Sequence, residues 1–377
     1  MNYRTLGRTG LRVSEIGFGG WAIGGAAFGN SYGPTDDAAS RAAIQRALEL
    51  GCTFFDAADV YGHGHSEELL GQALHDAAAR DQVIIATKVG ANFYHRDVDP
   101  ALAPGLSRHL GRPLADFPAD AVLPVAHGAN FRPDYLRFAC EQSLRRLRRE
   151  VIDLYQLHNP GLALIEQGEI WQALDDLKQA GKIRFYGVSI HQPVEGIAAL
   201  VGGKADTIQV VYNLLDQAAA SQLFPLALAL QVGIIAREPL ANGFLAGKYG
   251  PDTRFAPGDM RATWPADYVT ARSRAAQTLA AEWVRPGQTL AQAAIRFALD
   301  HPAVSTVIPG AKTPGQVEQN LAAGGVWSAR FGARGLEREG AKGREGAKHE
   351  GAKHEDAKGR RSEGGEVGGE YEGHGAK

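Results

Sequence analysis

Four side chains that can move or steer a proton stand at comparable places in this chain. Asp56 and Tyr61 lie in Phe55-Asp-Ala-Ala-Asp-Val-Tyr61, Lys88 closes Val83-Ile-Ile-Ala-Thr-Lys88, and His158 closes Ile152-Asp-Leu-Tyr-Gln-Leu-His158. Asp56, Lys88 and His158 each follow a short apolar run of the kind that forms a buried parallel strand, and Tyr61 comes five residues after Asp56 on the loop that leaves its strand. One charge at such a point is often a satisfied core group, but several at matching strand ends favour a site. A phenol is a poor acid near neutrality, with a pKa of about 10. An ammonium about 4 Å away at an effective dielectric near 20 is worth about 4 kcal/mol, against about 1.4 kcal/mol per pKa unit. Lys88 is therefore expected to pull Tyr61 down by up to about three units. Asp56 would hold Lys88 charged and aimed, and His158 would orient a substrate carbonyl by hydrogen bonding. Such a group suits protonation of a developing alkoxide. It contains no nucleophile with an adjacent base and no metal cage.

A second constellation lies in Val304-Ser-Thr-Val-Ile-Pro-Gly310-Ala-Lys312-Thr313-Pro-Gly-Gln316-Val-Glu-Gln319-Asn320. Thr313 and Gln316 have capping-box spacing, and Pro314 sits where a first helical residue needs no free N–H. A helix is expected to start there, and its orphan N–H groups beside Lys312 would make a phosphate site. The plain alternative is a capped helix with a surface lysine. Ser189 and Gln209 interrupt two other apolar runs, and a hydroxyl and an amide there can pair with a carboxamide, or each can simply be a hydrogen-bonded core residue.

These residues need a frame. Short β-branched or aromatic runs alternate with amphipathic segments, and eight strands are expected to begin near Glu15, Thr53, Val83, Ile152, Arg184, Thr207, Gly233 and Val304. Ala43, Ile44, Ala47 and Leu48 share one helical face, as do Leu174 and Leu177, with Gly181 as a stop. Eight βα units favour an α/β fold of the (β/α)8 TIM barrel type over an open doubly wound sheet. Long rim segments follow strand three (about 91–130) and strand seven (about 241–267), on the face where such barrels carry their sites. The first of these, with Phe93, Tyr94, His95, His109, Phe117 and His127, is either a substrate-pocket element or a surface packing insert. Tyr3 to Thr5 and Leu11 to Ser14, flanking Gly7-Arg-Thr-Gly10, predict an N-terminal hairpin cap at the other end.

The catalytic domain is expected to cover residues 1–330. Residues 331–377 repeat Glu339-Gly-Ala-Lys342, Glu345-Gly-Ala-Lys348 and Glu350-Gly-Ala-Lys353 and hold almost nothing large and apolar, so a low-complexity, disordered C-terminal tail is expected. With 40 basic and 42 acidic residues in 377, a net charge of −2, there is no electrostatic case for nucleic acid or an anionic membrane as partner. Two cysteines, Cys52 and Cys140, fit a reducing compartment, and no apolar leader or membrane span is legible, so a cytoplasmic location is expected. Gly17-Phe-Gly19-Gly20-Trp21-Ala22 matches a dinucleotide fingerprint only formally, because no helix is expected before about Asp37. Arg145 to Arg149 reads as a solvated helix face. His63 and His65 have a metal-like spacing without an evident carboxylate or cysteine partner, so no metal is expected.

In this order, Gly7-Arg-Thr-Gly-Leu-Arg-Val-Ser14, Phe55-Asp-Ala-Ala-Asp-Val-Tyr-Gly62, Ser66-Glu-Glu-Leu-Leu-Gly71, Ala86-Thr-Lys-Val89, Asp153-Leu-Tyr-Gln-Leu-His158, Gly187-Val-Ser189 and Pro239-Leu-Ala-Asn-Gly243 resemble the aldo-keto reductase family from about Tyr3 to Ala323. The resemblance implies a barrel that reduces aldehydes and ketones, or oxidises the corresponding alcohols and sugars, with NADPH, NADH being possible. It implies that Asp56, Tyr61, Lys88 and His158 match a catalytic tetrad with Tyr61 as proton donor. Gly20, Trp21 and Asp56 would line the cofactor, and Ser189 and Gln209 would meet its carboxamide. Pro239, Leu240, Gly243 and Leu245 would lie along the pyrophosphate. Gly310, Lys312, Thr313, Gln316, Gln319 and Asn320 would hold the adenosine end, with Lys312 near the 2′-phosphate. Ala57, Ile190, Arg237 and Gln316 depart from common family choices, Arg237 replacing a stacking aromatic ring. The resemblance to potassium-channel β subunits implies an alternative, a cofactor-binding regulatory subunit.

Overall fold

The computed structural model describes residues 1–25, 31–98, 100–123, 126 and 128–325, without the side chain of His109. The expected tail and His127 lie outside the described residues. Tyr3–Thr5 and Arg12–Ser14 pair antiparallel, with Tyr3 opposite Ser14. Eight further strands then follow in parallel: β1 (Phe18–Gly19), β2 (Phe54–Asp56), β3 (Ile84–Val89), β4 (Ile152–His158), β5 (Ile183–Ser189), β6 (Thr207–Val211), β7 (Gly233–Arg237) and β8 (Val304–Val307). They pair in sequence order, and parallel bridges from Ile16 to Val307 and from Gly19 to Gly310 join the last strand to the first. That is the closed α/β TIM barrel expected from the pattern.

The hairpin plugs the end where the strands begin. Leu6, Leu11 and Val13 pack with Phe54, Ala86, Leu154, Ile235 and Ile308. Gly7 has φ +49°, and a Cβ there would fall 2.2 Å from the Gly233 amide nitrogen, so only glycine lets the turn press against β7. Outside the barrel, the helix Asp37–Glu49 buries Ala43, Ile44 and Ala47 while Leu48 stays half-buried. The helix Glu169–Gln179 buries Leu174 and Leu177 and stops before Gly181 at φ +71°. Because the strands are buried on both faces, polar residues within them, such as Asp153 and Gln156 in β4 and Gln209 in β6, must find their partners inside the protein.

The segment after β3 holds the helix Ala103–Leu110 and two short 3-10 turns, His95–Asp97 and Leu114–Asp116. Bridges from Ala91 to Ala129 and from Tyr94 to Val122 staple it. The run after β1 forms a 3-10 turn at Gly20–Ile23, which opens no dinucleotide-binding helix. Among the described residues, no helix is long and apolar enough to cross a membrane.

Candidate active site

Strand register brings the distant chemical residues together. Asp56 pairs with Ala86, Lys88 with Gln156, and His158 with Ser189, which in turn pairs with Gln209. Lys88 has 0% exposure and Asp56 2%, so the ammonium must find its partners inside. Its Nζ donates to Asp56 Oδ2 at 2.5 Å, to the Ala57 carbonyl at 2.8 Å and to the Tyr61 hydroxyl at 2.9 Å. Three donors in three directions leave nothing to rotate. The loop that carries Tyr61 is held by Ala57 N–H to Ala86 O at 2.8 Å and Asp59 N–H to Lys88 O at 3.2 Å. The Tyr61 ring meets His158 edge-on at 5.9 Å and Trp21 edge-on at 4.9 Å.

Burial sets the protonation states. The Tyr61 hydroxyl is pushed above its ordinary value because burial outweighs the lowering by Lys88. This corrects the expectation of a net acidified phenol: Lys88 offsets part of the desolvation without overcoming it. Burial also works against the Lys88 charge, but Asp56 and Tyr61 more than restore it, and the ammonium is held above its ordinary value. His158 is driven well below the usual histidine range by burial and then by Lys88, so its ring is neutral. The site thus holds a neutral phenol, a fixed ammonium and a neutral imidazole around one point.

A layer of amides lies beneath. Asp56 Oδ1 accepts from Gln209 Nε2 at 2.7 Å and from Gln156 Nε2 at 3.3 Å, and Ser189 Oγ donates to Gln209 Oε1 at 3.5 Å. Gln209 is therefore committed to the carboxylate as well as to Ser189. Sequence reasoning passed over Gln156. Its signal was a polar residue two positions before His158 on a buried strand, hence on the same face.

The residues expected along a cofactor form a looser group. Gly20 accepts through its carbonyl from Ser66 Oγ at 2.9 Å. Trp21 Nε1 and Arg237 Nε are buried without a protein partner. Arg237 pairs with Glu238, donates to the Ile190 carbonyl at 3.1 Å and meets His191 Nδ1 at 3.3 Å. Beyond Pro239 and Leu240, Asn242 at φ 56° and Gly243 at φ 93° turn the backbone left-handed inside the segment Ala241–Ala246. Leu245 is fully buried in a cluster with Phe244 and Leu290. Its side chain belongs to the core, so any contact along a cofactor would fall to its backbone. The helix Pro314–Leu321 is capped by Thr313, which accepts the Gln316 N–H, but Gln316 Oε1 accepts from Lys312 N–H at 2.7 Å and does not close the expected box. Asn320 Nδ2 donates to the Gly310 carbonyl at 3.3 Å, and Gln319 is exposed. Lys312 donates to the carbonyls of Tyr32, Gly33 and Pro34 at 2.7, 3.3 and 3.1 Å, so its ammonium is already spent. Orphaned buried donors, a left-handed turn and a capped helix start on one rim are donors of the kind that can receive an extended dinucleotide.

Two of the remaining expectations change, one for His65 and one for the arginine run. His65 does have a carboxylate partner, Asp37 at 2.9 Å, yet no group of three or more potential metal-ligating side chains gathers among the described residues. His63 stacks on Phe93 at 4.7 Å and meets the Leu123 carbonyl at 2.7 Å, tying the insert to the Tyr61 loop. Arg145 and Arg148 are exposed as expected, but the Arg146 and Arg149 side chains are largely covered. Arg146 pairs with Glu67 at 2.7 Å, and Arg149 pairs with Asp153 at 3.0 Å.

Comparison with known proteins agrees with the fold. A profile of the Aldo/keto reductase family matches residues 15–327. The chain belongs to the aldo/keto reductase family. It is similar to the aldo-keto reductase YhdN of Bacillus subtilis, 31% identical over 84% of this chain and 87% of that protein. It is also similar to a probable voltage-gated potassium channel subunit beta of Oryza sativa, 29% identical over 86% of this chain and 91% of that one. Among solved structures, aldo-keto reductase AKR11C1 from Bacillus halodurans in its holo form superposes with a TM-score of 0.66 at 27% identity, covering 90% and 96% of the two chains.

Proposed function

We propose that this oxidoreductase reduces the carbonyl of a small aldehyde or ketone, or oxidises the corresponding alcohol or sugar, with NADPH as cofactor and NADH as the alternative. The observation that carries the reading is the single ammonium shared by Asp56 and the Tyr61 hydroxyl. The cofactor, when bound, supplies or receives the hydride. Ser189, Gln209, Arg237, the turn at Asn242 and Gly243, and the rim from Gly310 to Asn320 would hold it.

The chain's own residues handle the proton. A carbonyl oxygen seated between Tyr61 and His158 accepts a hydrogen bond from the phenol, and the neutral imidazole, with one N–H, orients it without adding charge. As negative charge develops on that oxygen, the Tyr61 proton crosses to it and the phenolate left behind lies 2.9 Å from Lys88 Nζ. Burial disfavours that phenolate before the reaction, and Lys88 stabilises it once it forms. Asp56 keeps Lys88 charged and cannot itself reach the substrate past it. In the oxidative direction each step reverses.

A regulatory subunit with bound cofactor is the second reading, favoured by the likeness to the rice channel subunit. The complete contact set of Lys88 favours the enzyme. Assay of aldehydes, ketones and aldoses with NADPH and NADH in parallel decides: turnover is expected, and tight cofactor binding with no turnover across the panel would sink the enzymatic reading. The low-complexity region 331–377 and a cytoplasmic location remain part of the proposal.

A further inference from the structure

Asp59 is the odd charge among the buried groups. Asp56 is matched by Lys88 and Glu67 by Arg146, whereas both carboxyl oxygens of Asp59 are buried with no side-chain partner and no well-formed hydrogen bond, the neighbouring Val60 N–H being the one donor beside them. The residue has 0% exposure. It sits in the tight loop between Asp56 and Tyr61, its own N–H on the Lys88 carbonyl at 3.2 Å. The groups that face it are Glu67 from the helix His65–Asp76, Lys88 from β3, Tyr155 from β4, Arg146 and Tyr135 from the helix Pro133–Leu147, and Tyr94 from the insert. Glu67 repels a charge there, and both cations are already taken. The Tyr155 hydroxyl is also buried without a partner.

An unpaired carboxylate in such a place costs several kcal/mol more than its protonated form. We propose that Asp59 is an uncharged carboxylic acid in the folded protein and a positioning residue for Tyr61, keeping the loop seated and leaving the whole field of Lys88 on the phenol. A charged Asp59 would compete with Asp56 for Lys88 and would need water, which only opening of the loop admits. Burial, and then Glu67, hold this carboxyl well above the usual carboxylate range, in agreement with that geometry. For an acid held this way the folded state binds the extra proton. Stability is therefore lost as pH rises from the unfolded-state value of about 3.9 towards the folded value.

The link to Tyr61 rests on the proposed role of that residue as proton donor, so the primary readouts avoid turnover. Infrared difference spectra of the full chain at about pH 7 are expected to contain a protonated-carboxyl band that Asp59→Asn lacks. Urea unfolding midpoints of the wild type are expected to fall relative to those of Asp59→Asn as pH rises above about 4, so the wild-type-minus-variant difference becomes steadily more negative with pH. If reduction is measurable, its alkaline fall in kcat/KM is expected to begin at higher pH in the variant. Should Asp59→Asn fail to fold, wild-type protein labelled with carboxyl-13C aspartate still decides by showing one protonated aspartate at about pH 7. No protonated aspartate in the wild type overturns the proposal. So do parallel unfolding curves for the two proteins, or an unmoved alkaline limb. A protein without reductase activity that passes the spectroscopic and unfolding tests would leave the charge assignment standing and overturn only the proposed reaction.

Discussion

Two buried triplets of identical make-up, a carboxylate, a cation and a phenol, each contribute a cation to the field at Asp59. In one, Lys88 joins Asp56 at 2.5 Å to Tyr61 at 2.9 Å. In the other, Arg146 joins Glu67 at 2.7 Å to Tyr94 at 2.7 Å. The difference is where each phenol ends up and which cation serves it. Tyr61 stands at the ends of the strands beside Trp21 and His158. Tyr94 is 1% exposed, stacked on Phe93 at 4.5 Å and edge-on to Phe138 at 4.9 Å. An ammonium is a compact point charge that can follow a proton's departure, whereas a guanidinium is a planar fork that fixes two partners and stays charged. The same three chemical types thus make a candidate proton donor in one place and a clamp between helix and insert in the other.

The sharpest way to break that comparison is to remove the phenol hydroxyl from each triplet. Tyr61→Phe is expected to lower kcat/KM for reduction by about 10²–10⁴-fold, with cofactor affinity retained, as measured by fluorescence titration. Tyr94→Phe is expected to change turnover less than about tenfold. Equal losses in the two variants would erase the distinction. Exchanging the cations tests it again: Lys88→Arg is expected to cost nearly as much activity as Tyr61→Phe, because a planar fork cannot sit at three positions fitted to one nitrogen.

Next in size is the structural side. Arg146→Met leaves Glu67 buried with only Thr87 as partner and is expected to lower stability by about 3–5 kcal/mol in urea unfolding. Activity per folded molecule is expected to stay within a few-fold. A stable but inactive Arg146→Met would place the second triplet in the chemistry and contradict its role as a clamp.

A smaller effect separates the imidazole from the acids. Because burial and Lys88 hold His158 well below the usual histidine range, it is already neutral at pH 6.5. Protonation, and any loss that comes with it, lies at lower pH. The rate of reduction with saturating cofactor is expected to stay level as pH falls through about 6.5, the ordinary histidine value. A fall centred there would mean that His158 titrates normally and is not enclosed as described.

What could be read from the chain alone follows from which interactions are local. Strand ends announce themselves: Asp56, Lys88 and His158 each interrupt an apolar run, and register then brings them together without further information. The hairpin was equally legible, since Gly7 and Gly10 bracket its turn. Arg146 and Arg149 were misread because a helical face looks solvated until one knows that Glu67 and Asp153, from other elements, lie against it. The Tyr61 proton was misjudged for a related reason. The pull of Lys88 can be estimated from one distance, but the opposing desolvation depends on everything packed around the ring. Leu245 resembled its neighbours in a loop motif, and only the packing of the helices behind it reveals a core side chain.

The smallest expected effect concerns a third cation, the half-buried Lys312, and whether it serves a ligand or the fold. Its ammonium donates to three backbone carbonyls, Tyr32, Gly33 and Pro34. The same segment is bridged to the loop after β7 through Tyr32 and Asp259, with Met260 N–H on the Ser31 carbonyl at 2.9 Å and the Arg261 guanidinium 4.5 Å over the Tyr32 ring. A lysine that fastens loops acts on any cofactor held beneath them, whereas one that grips a 2′-phosphate acts only on the phosphorylated form. Lys312→Met is therefore expected to weaken NADPH and NADH by a similar, few-fold factor, because the hydrogen bonds lost are worth about 1 kcal/mol each net and solvent replaces part of them. Dissociation constants for both cofactors, measured side by side, give the ratio directly. A selective loss of NADPH would show that the ammonium leaves the three carbonyls for the phosphate, and Lys312 would then join Lys88 as a cation working on a ligand rather than Arg146 as a cation working on the fold.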